Sequence, residues 1–343
     1  MASSRCCEPA TLRRMEPSAT APETVSTAAV CSRDERPPKK GHPPVEPLPP
    51  HEPMAPERDQ ELQAVLAWLQ ARPIQDELTE AVLQSVHYIL DGASTGRVYL
   101  HDPEVDSDER SAVGVNLQYR VLHVLGLPKE APLDTTIEGI PVDIKCTTGT
   151  GYGWMIPPEA QCELCLLVKI DAEHDRFAAY LMRTHRVWLN EGGNQDKKRT
   201  ITAAARKQYA VQLFEGEWAP LPRNPLRDLT SDQRELVLNL HPDRQRGQET
   251  RIKAMFSYLP STVVPRHVLE TIGAGRTDPA RRARAIRSQL RAEHGLILLC
   301  GKWKPERDAA RSAGFDLTGR DWVAVPEADV DPHQLDLVLA QRD

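Results

Sequence analysis

The spacing of apolar residues predicts most of the elements in this chain. Leu62, Val65, Leu66 and Leu69 recur at i, i+3, i+4 and i+7, which predicts an amphipathic helix starting near Asp59. After Pro73, the positions Leu78, Val82, Val86, Ile89 and Leu90 predict a second helix, and Val113, Leu117, Val121, Val124 and Leu125 a third. The period then changes from helical to alternating. Ile140, Val142, Ile144 and Cys146 alternate with Pro141, Asp143, Lys145 and Thr147, the pattern of a half-buried strand. Glu138-Gly139 just before it can reverse the chain, so a hairpin is expected over 134–146. Near-continuous apolar runs at 164–170 and 178–182 predict further strands, and 202–214 a helix. Mixed elements of this kind give an α/β (α+β) domain over residues 58–222.

A second unit is expected over 231–343, after a linker at 223–230 that contains Arg223-Asn224-Pro225-Leu226. Short helices at 251–259 and 263–272 lead to a helix at 279–294 that carries Arg281, Arg282, Arg284, Arg287 and Arg291, followed by strands at 295–300 and 322–326. Helices, an arginine-rich helix and then strands is the order of a winged-helix-like DNA-binding domain. Residues 1–57 hold 12 of the 29 prolines and few large apolar side chains, so they are expected to form a disordered tail.

Composition narrows the class. Hydrophobic residues at 40% and charged residues at 27% describe a globular protein, and no apolar run approaches the roughly 18 residues of a membrane span. The first 30 residues have no signal-peptide apolar core, so a cytoplasmic location is expected. Seven cysteines, an odd number, make no disulfide framework. Cys162-Glu-Leu-Cys165 runs straight into an apolar strand and reads as buried thiols rather than metal ligands. The net charge is −6, yet residues 244–291 hold 11 Arg and Lys against 3 acids, a local excess of +8 that fits a polyanion.

The candidate chemistry lies on the predicted hairpin. Asp143 and Lys145 project from one face of the strand, and Asp134, separated from Asp143 by eight residues, lies across the turn. Two carboxylates suit Mg²⁺, and a lysine beside them can position or deprotonate a water and offset charge on a phosphate. Asp-x8-Asp-x-Lys is thus a form of the PD-(D/E)xK nuclease signature. Other segments fit phosphate or base contact: Thr95 and Arg97 in a turn-rich loop, Trp154 before Pro157-Pro158, and Lys197, Lys198 and Arg199 ahead of a helix. The glycine-rich run 149–153 lacks the Lys-[Ser/Thr] of a nucleotide-binding P-loop, so ATP use is not indicated.

Taken in order, these motifs resemble the NaeI family of type IIE restriction endonucleases, which has a MutH-like PD-(D/E)xK nuclease fold. The resemblance rests on Leu90-Asp-Gly-x-x-Thr-Gly-Arg97, Asp134-x3-Glu138-Gly139 through Val142-Asp143-x-Lys145, Trp154-Met-x-Pro-Pro-Glu159, Lys197 to Arg199, and residues from Arg251 onward. It implies that Asp134 and Asp143 bind Mg²⁺, that Lys145 serves the attacking water, and that the second unit binds another copy of a double-stranded DNA target. A homodimer, a GC-rich palindromic site and a cognate DNA methyltransferase as genetic partner are also implied. One position departs from the family, whose helical glutamate sixteen residues ahead of the first aspartate falls on Gln118 here. Gln118 is therefore included in the catalytic set, with Glu109 and Glu159 as possible replacements for the missing carboxylate. Two other readings stay open: a DNA-binding protein with a degenerate nuclease domain, and a MutH-like nickase.

Overall fold

The computed structural model describes residues 30–36, 44–191, 196–238, 247–273 and 278–341. The first unit opens with four helices, α1 (Gln60–Gln70), α2 (Ile74–Leu90), α3 (Gly92–Thr95) and α4 (Ser107–Leu125). There follow β1 (Thr135–Ile137), β2 (Ile140–Thr147), β3 (Met155–Ile156), β4 (Leu164–Asp171), β5 (Arg176–Arg183), β6 (Arg199–Thr200), α5 (Ala203–Tyr209), β7 (Val211–Gln212) and β8 (Ala219–Pro220). Helix starts follow local chemistry: Asp59 accepts the Leu62 N–H at α1, and Asp106 with Glu109 forms a capping box at α4. The sheet order is β1-β2-β4-β5-β7, with β8 also on β5; β2 is antiparallel to β1 and parallel to β4. Glu138 and Gly139 both have positive φ (53° and 77°), the two-residue turn that closes the Ile137–Ile140 pair.

The β4 strand is apolar from Leu164 to Val168 because both of its faces are covered. Leu164, Leu166, Val168 and Ile170 join the core made with α2 and α4, whereas Cys165 and Leu167 join Trp154, Tyr180, Trp188 and Tyr209 behind the sheet. The helix expected over 202–214 ends at Tyr209, since Ala210 is extended and Val211 enters the sheet opposite Leu181.

The second unit comprises α6 (Ser231–Leu238), α7 (Gln248–Tyr258), α8 (Arg266–Gly273), α9 (Pro279–Ala285), α10 (Arg287–His294), β9 (Leu296–Cys300), α11 (Lys304–Ser312), β10 (Trp322–Pro326) and α12 (Pro332–Ala340). The helix expected at 279–294 is broken at buried Ile286, where ψ is 0°. β9 and β10 pair antiparallel, and Val264 bridges to Trp322 beside them.

Close backbone approach joins the two units. A Cβ on Gly92 of α3 would lie 2.9 Å from the Arg97 carbonyl and 3.4 Å from Thr271 Cγ2 of α8. His87 Nε2 is 2.5 Å from Thr271 Oγ1, and the His87 and His267 rings meet edge-on at 5.3 Å. Burial, helped by the neighbouring His87, holds the His267 pKa down to about 4. The unfolded chain therefore takes up this proton before the folded one does, and stability is lost as pH falls from about 6.5 towards about 4, at up to about 1.4 kcal/mol per pH unit. Thermal melts across that range are expected to show this slope, and His267→Gln to flatten it; an unflattened slope would place the titrating group elsewhere.

The tail expectation needs correction for residues 30–36 and 44–57. Cys31 and Val45 are buried, Arg36 pairs with Glu159 at 2.9 Å, and Asp34 pairs with Arg186 at 3.1 Å and with Arg199. These residues form a strap on the first unit, held by ion pairs and hydrogen bonds rather than by apolar mass, which is why a composition argument misses it. The remainder of the proposed tail, residues 1–29 and 37–43, and the stretches 239–246 and 274–277 of the basic segment lie outside the described residues. Among the described residues no helix is long and apolar enough to cross a membrane.

Candidate active site

The site is built around the backbone of Ile144. In a strand the N–H and C=O of one residue point to the same side, and at Ile144 that side faces past the end of β1, whose last paired residue, Thr135, lies opposite Val142. Side chains take the ladder's place there. Asp134 Oδ2 accepts the Ile144 N–H at 2.8 Å, and Gln118 Nε2 on α4 donates to the Ile144 carbonyl at 2.9 Å. Lys129 Nζ holds the other Asp134 oxygen at 3.0 Å.

Asp143 and Lys145 lie in register with Cys165 and Leu167 and so point to the face of the sheet away from α4. Lys145 Nζ lies 2.5 Å from Asp143 Oδ2. The contact is a largely buried ion pair that ties the strand's carboxylate to its ammonium. Burial raises the Asp143 pKa to about 7, with Lys145 opposing and Asp134 adding to the rise. The Lys145 pKa is also raised: burial acts to lower it, but the Asp143 carboxylate more than offsets that. Two buried carboxylates, one of them kept from ionising freely by burial and by its neighbour, form a set of oxygen donors beside two ammonium groups. Oxygen ligands of this kind fit a hard divalent cation.

The structure therefore brings Asp134, Asp143, Lys145 and Gln118 together. Neither proposed replacement joins them: Glu109 makes two 2.6 Å bonds to Arg97, and Glu159 pairs with Arg36. Lys129 was missed by sequence reasoning because it lies in the aperiodic 126–134 connection, where nothing marks it as Asp134's partner.

These geometric features agree with comparisons to known proteins. The sequence profile of the restriction endonuclease NaeI family matches residues 63–325. The chain belongs to that family. A curated relative, the type II restriction enzyme NaeI of Lentzea aerocolonigenes, is 27% identical over 296 residues, 83% of this chain and 90% of the relative. Family membership makes the chain an enzyme of the site-specific deoxyribonuclease class.

The residues expected to contact DNA have mixed surroundings. Trp154 is a correction: it is fully buried, with Nε1 donating to the Val168 carbonyl at 2.8 Å, because the Pro157-Pro158 segment carries it under the sheet. Thr95 Oγ1 donates to the Leu90 carbonyl at 2.6 Å and accepts the Arg97 N–H, closing its own loop. Lys197 reaches the Glu35 carbonyl at 3.2 Å, and Arg199 is committed to Asp34 and to the Asn190 carbonyl, so the strap lies over this cationic run next to Lys198. Arg287 is also a correction, since its guanidinium is buried against Glu306 at 2.7 Å. Arg281, Arg282 and Arg284 are exposed on α9, with Arg282 paired to Glu249 at 2.7 Å.

Proposed function

We propose that this enzyme cleaves double-stranded DNA at a specific sequence in a Mg²⁺-dependent reaction, with Asp134 and Asp143 holding the metal and Lys145 at the attacking water. The observation that carries this reading is the convergence of two buried carboxylates, Asp134 and the hard-to-ionise Asp143, with Lys145 at one end of the hairpin. Mg²⁺ bound there would polarise the phosphate and lower the pKa of a bound water. Asp134 is oriented by Lys129 and the Ile144 N–H, so its carboxylate needs little rearrangement to serve as a ligand. A raised Lys145 pKa means that the ammonium keeps its proton. Lys145 thus orients the water and offsets charge on the phosphate rather than acting as a base. The water oxygen bonds to phosphorus and releases a proton to solvent, one ester P–O bond breaks, and the departing oxygen gains a proton from solvent. Incubation with DNA in Mg²⁺ or in EDTA is expected to give discrete fragments only with Mg²⁺. DNA that is bound but stays intact would favour the degenerate-nuclease reading, and single-strand nicks the nickase.

For the second unit we propose a winged-helix-like role in holding another copy of the target, the type IIE behaviour, within a homodimer. The Val264 bridge beside β9 and β10, with α9 and α10 ahead of the strands, supports that topology. The exposed cations of α9 supply a phosphate-facing surface. Replacing Arg284 by alanine is expected to weaken DNA binding and reduce its log-log salt slope by about 0.9, one phosphate contact. An unchanged slope would show that α9 faces solvent in the complex.

A further inference from the structure

Four side chains from distant parts of the sequence converge outside the catalytic cluster. Cys31 and His51 lie directly opposite one another in the strap, joined by Cys31 N–H to the His51 carbonyl at 2.7 Å and the reciprocal bond at 2.9 Å. Cys162 and His185 flank the paired strands β4 and β5, where the Cys162 N–H donates to the Thr184 carbonyl at 2.8 Å. Each pair is thus set by backbone hydrogen bonds before any side-chain contact is considered. The two pairs face each other, and the four ligand atoms lie within 4.8 Å of one another. Cys31, Cys162 and His185 are buried.

We propose that Cys31, His51, Cys162 and His185 form a structural zinc site that fastens the N-terminal strap to the nuclease unit. Two thiolates and two imidazoles are a donor set that tetrahedral Zn²⁺ prefers. Zinc–ligand bonds of about 2.3 Å to sulfur and about 2.0–2.1 Å to nitrogen would put the two sulfurs about 3.8 Å apart and the two nitrogens about 3.3–3.4 Å apart. The Cys31 and Cys162 sulfurs are 3.5 Å apart, and His51 Nε2 is 3.3 Å from His185 Nδ1. His51 Nδ1 lies 3.0 Å from the Pro49 carbonyl, so its proton is placed there and Nε2 keeps its lone pair for the metal. At His185 the Met54 N–H approaches Nε2 at 3.2 Å. A ring bound through Nδ1 carries its proton on Nε2, so the loaded site requires the Met54 amide to turn away. The competing arrangement is a chain of hydrogen bonds from Met54 through both rings to Pro49, with the two thiols bonded to one another.

This site differs from the catalytic cluster in ligands and in position along the chain. Cys31 and His51 precede the family-matched region, residues 63–325. The strap is also held by ion pairs to Arg186, Arg199 and Glu159. A metal cross-link would add to these pairs a tie whose formation is coupled to folding of the strap.

The test uses the full chain purified without chelators. Metal analysis is expected to give about one zinc per chain in the native protein and below about 0.1 in both Cys31→Ser and His51→Ala, which lie outside the nuclease core. Cobalt substitution of the native protein needs no variant, and is expected to give the visible d–d bands of a tetrahedral thiolate–imidazole site together with a sulfur-to-cobalt charge-transfer band. A strong chelator should expose residues 30–57 to limited proteolysis without altering the family-matched region. Absence of zinc together with absence of the cobalt bands would overturn the proposal, as would a mass lower by two hydrogens showing a Cys31–Cys162 disulfide.

Discussion

Lys145→Ala is expected to lower the rate of DNA cleavage by roughly 10²–10³-fold, the scale on which loss of one preorganised charged donor acts in a dry site. DNA affinity should change by only a few-fold, because the exposed cations proposed to meet the backbone, on α9, lie elsewhere. The variant has a second signature. With the ammonium gone, Asp143 and Asp134 face each other without a cation between Asp143 and solvent, so the Asp143 pKa should climb above its present value of about 7. Metal-free protein should then melt lower at pH 8 than at pH 6, since a carboxyl with a raised pKa costs stability as pH rises through that pKa. Added Mg²⁺ should restore the melting point. Asp143→Asn behaves differently: it removes the charge that draws the metal, so cleavage is lost and Mg²⁺ no longer moves the melting point. Cleavage that survived both substitutions would remove this cluster from the mechanism.

Much of this site was legible in the sequence because it rides on a strand. Alternation fixes which residues share a face, so Asp143 and Lys145 could be paired without coordinates, and Glu138-Gly139 marked the turn that returns Asp134 to them. The apolar stripes of α1, α2 and α4 were legible for the same reason, since each buries the residues its period selects. What stayed hidden depends on contacts between segments far apart in the sequence. Nothing local distinguishes an arginine facing solvent from one paired with Glu306 across the second unit, so Arg287 looked like its neighbours on α9. A tryptophan beside prolines reads equally as a wall or as core, and Trp154 is core. The strap is the clearest case: its order comes from Asp34, Arg36, Cys31 and His51 meeting partners more than a hundred residues away. Cys162 and Cys165 are buried thiols as expected, but the sequence did not show that they part company: Cys162 turns towards Cys31 while Cys165 stays in the sheet core beside Thr184.

Gln118→Glu is expected to weaken the metal-free protein and strengthen its hold on Mg²⁺. The Gln118 amide donates to the Ile144 carbonyl, whose own N–H is taken by Asp134. A glutamate in that position would set an acceptor against an acceptor and bring a third negative charge to a cluster where Asp143 already resists ionisation. Loss of the bond and exposure of the carbonyl should cost about 1–3 kcal/mol in EDTA. A cation placed between the carboxylate and the carbonyl reverses both penalties, so the Mg²⁺ midpoint for cleavage should fall by about tenfold, equivalent to about 1.4 kcal/mol of added binding. Gln118→Ala separates the two effects, since it also removes that bond, leaving the carbonyl the longer Lys145 contact at 3.3 Å, but adds no charge: its melting point should fall with no gain in Mg²⁺ affinity. If Gln118→Glu instead left both the EDTA melting point and the Mg²⁺ midpoint unchanged, Gln118 would be a spacer between α4 and β2. The glutamine as found then has a definite meaning. On the proposed mechanism it substitutes a hydrogen bond for a charge, which would keep the metal-free site intact and make cleavage more dependent on the concentration of free Mg²⁺.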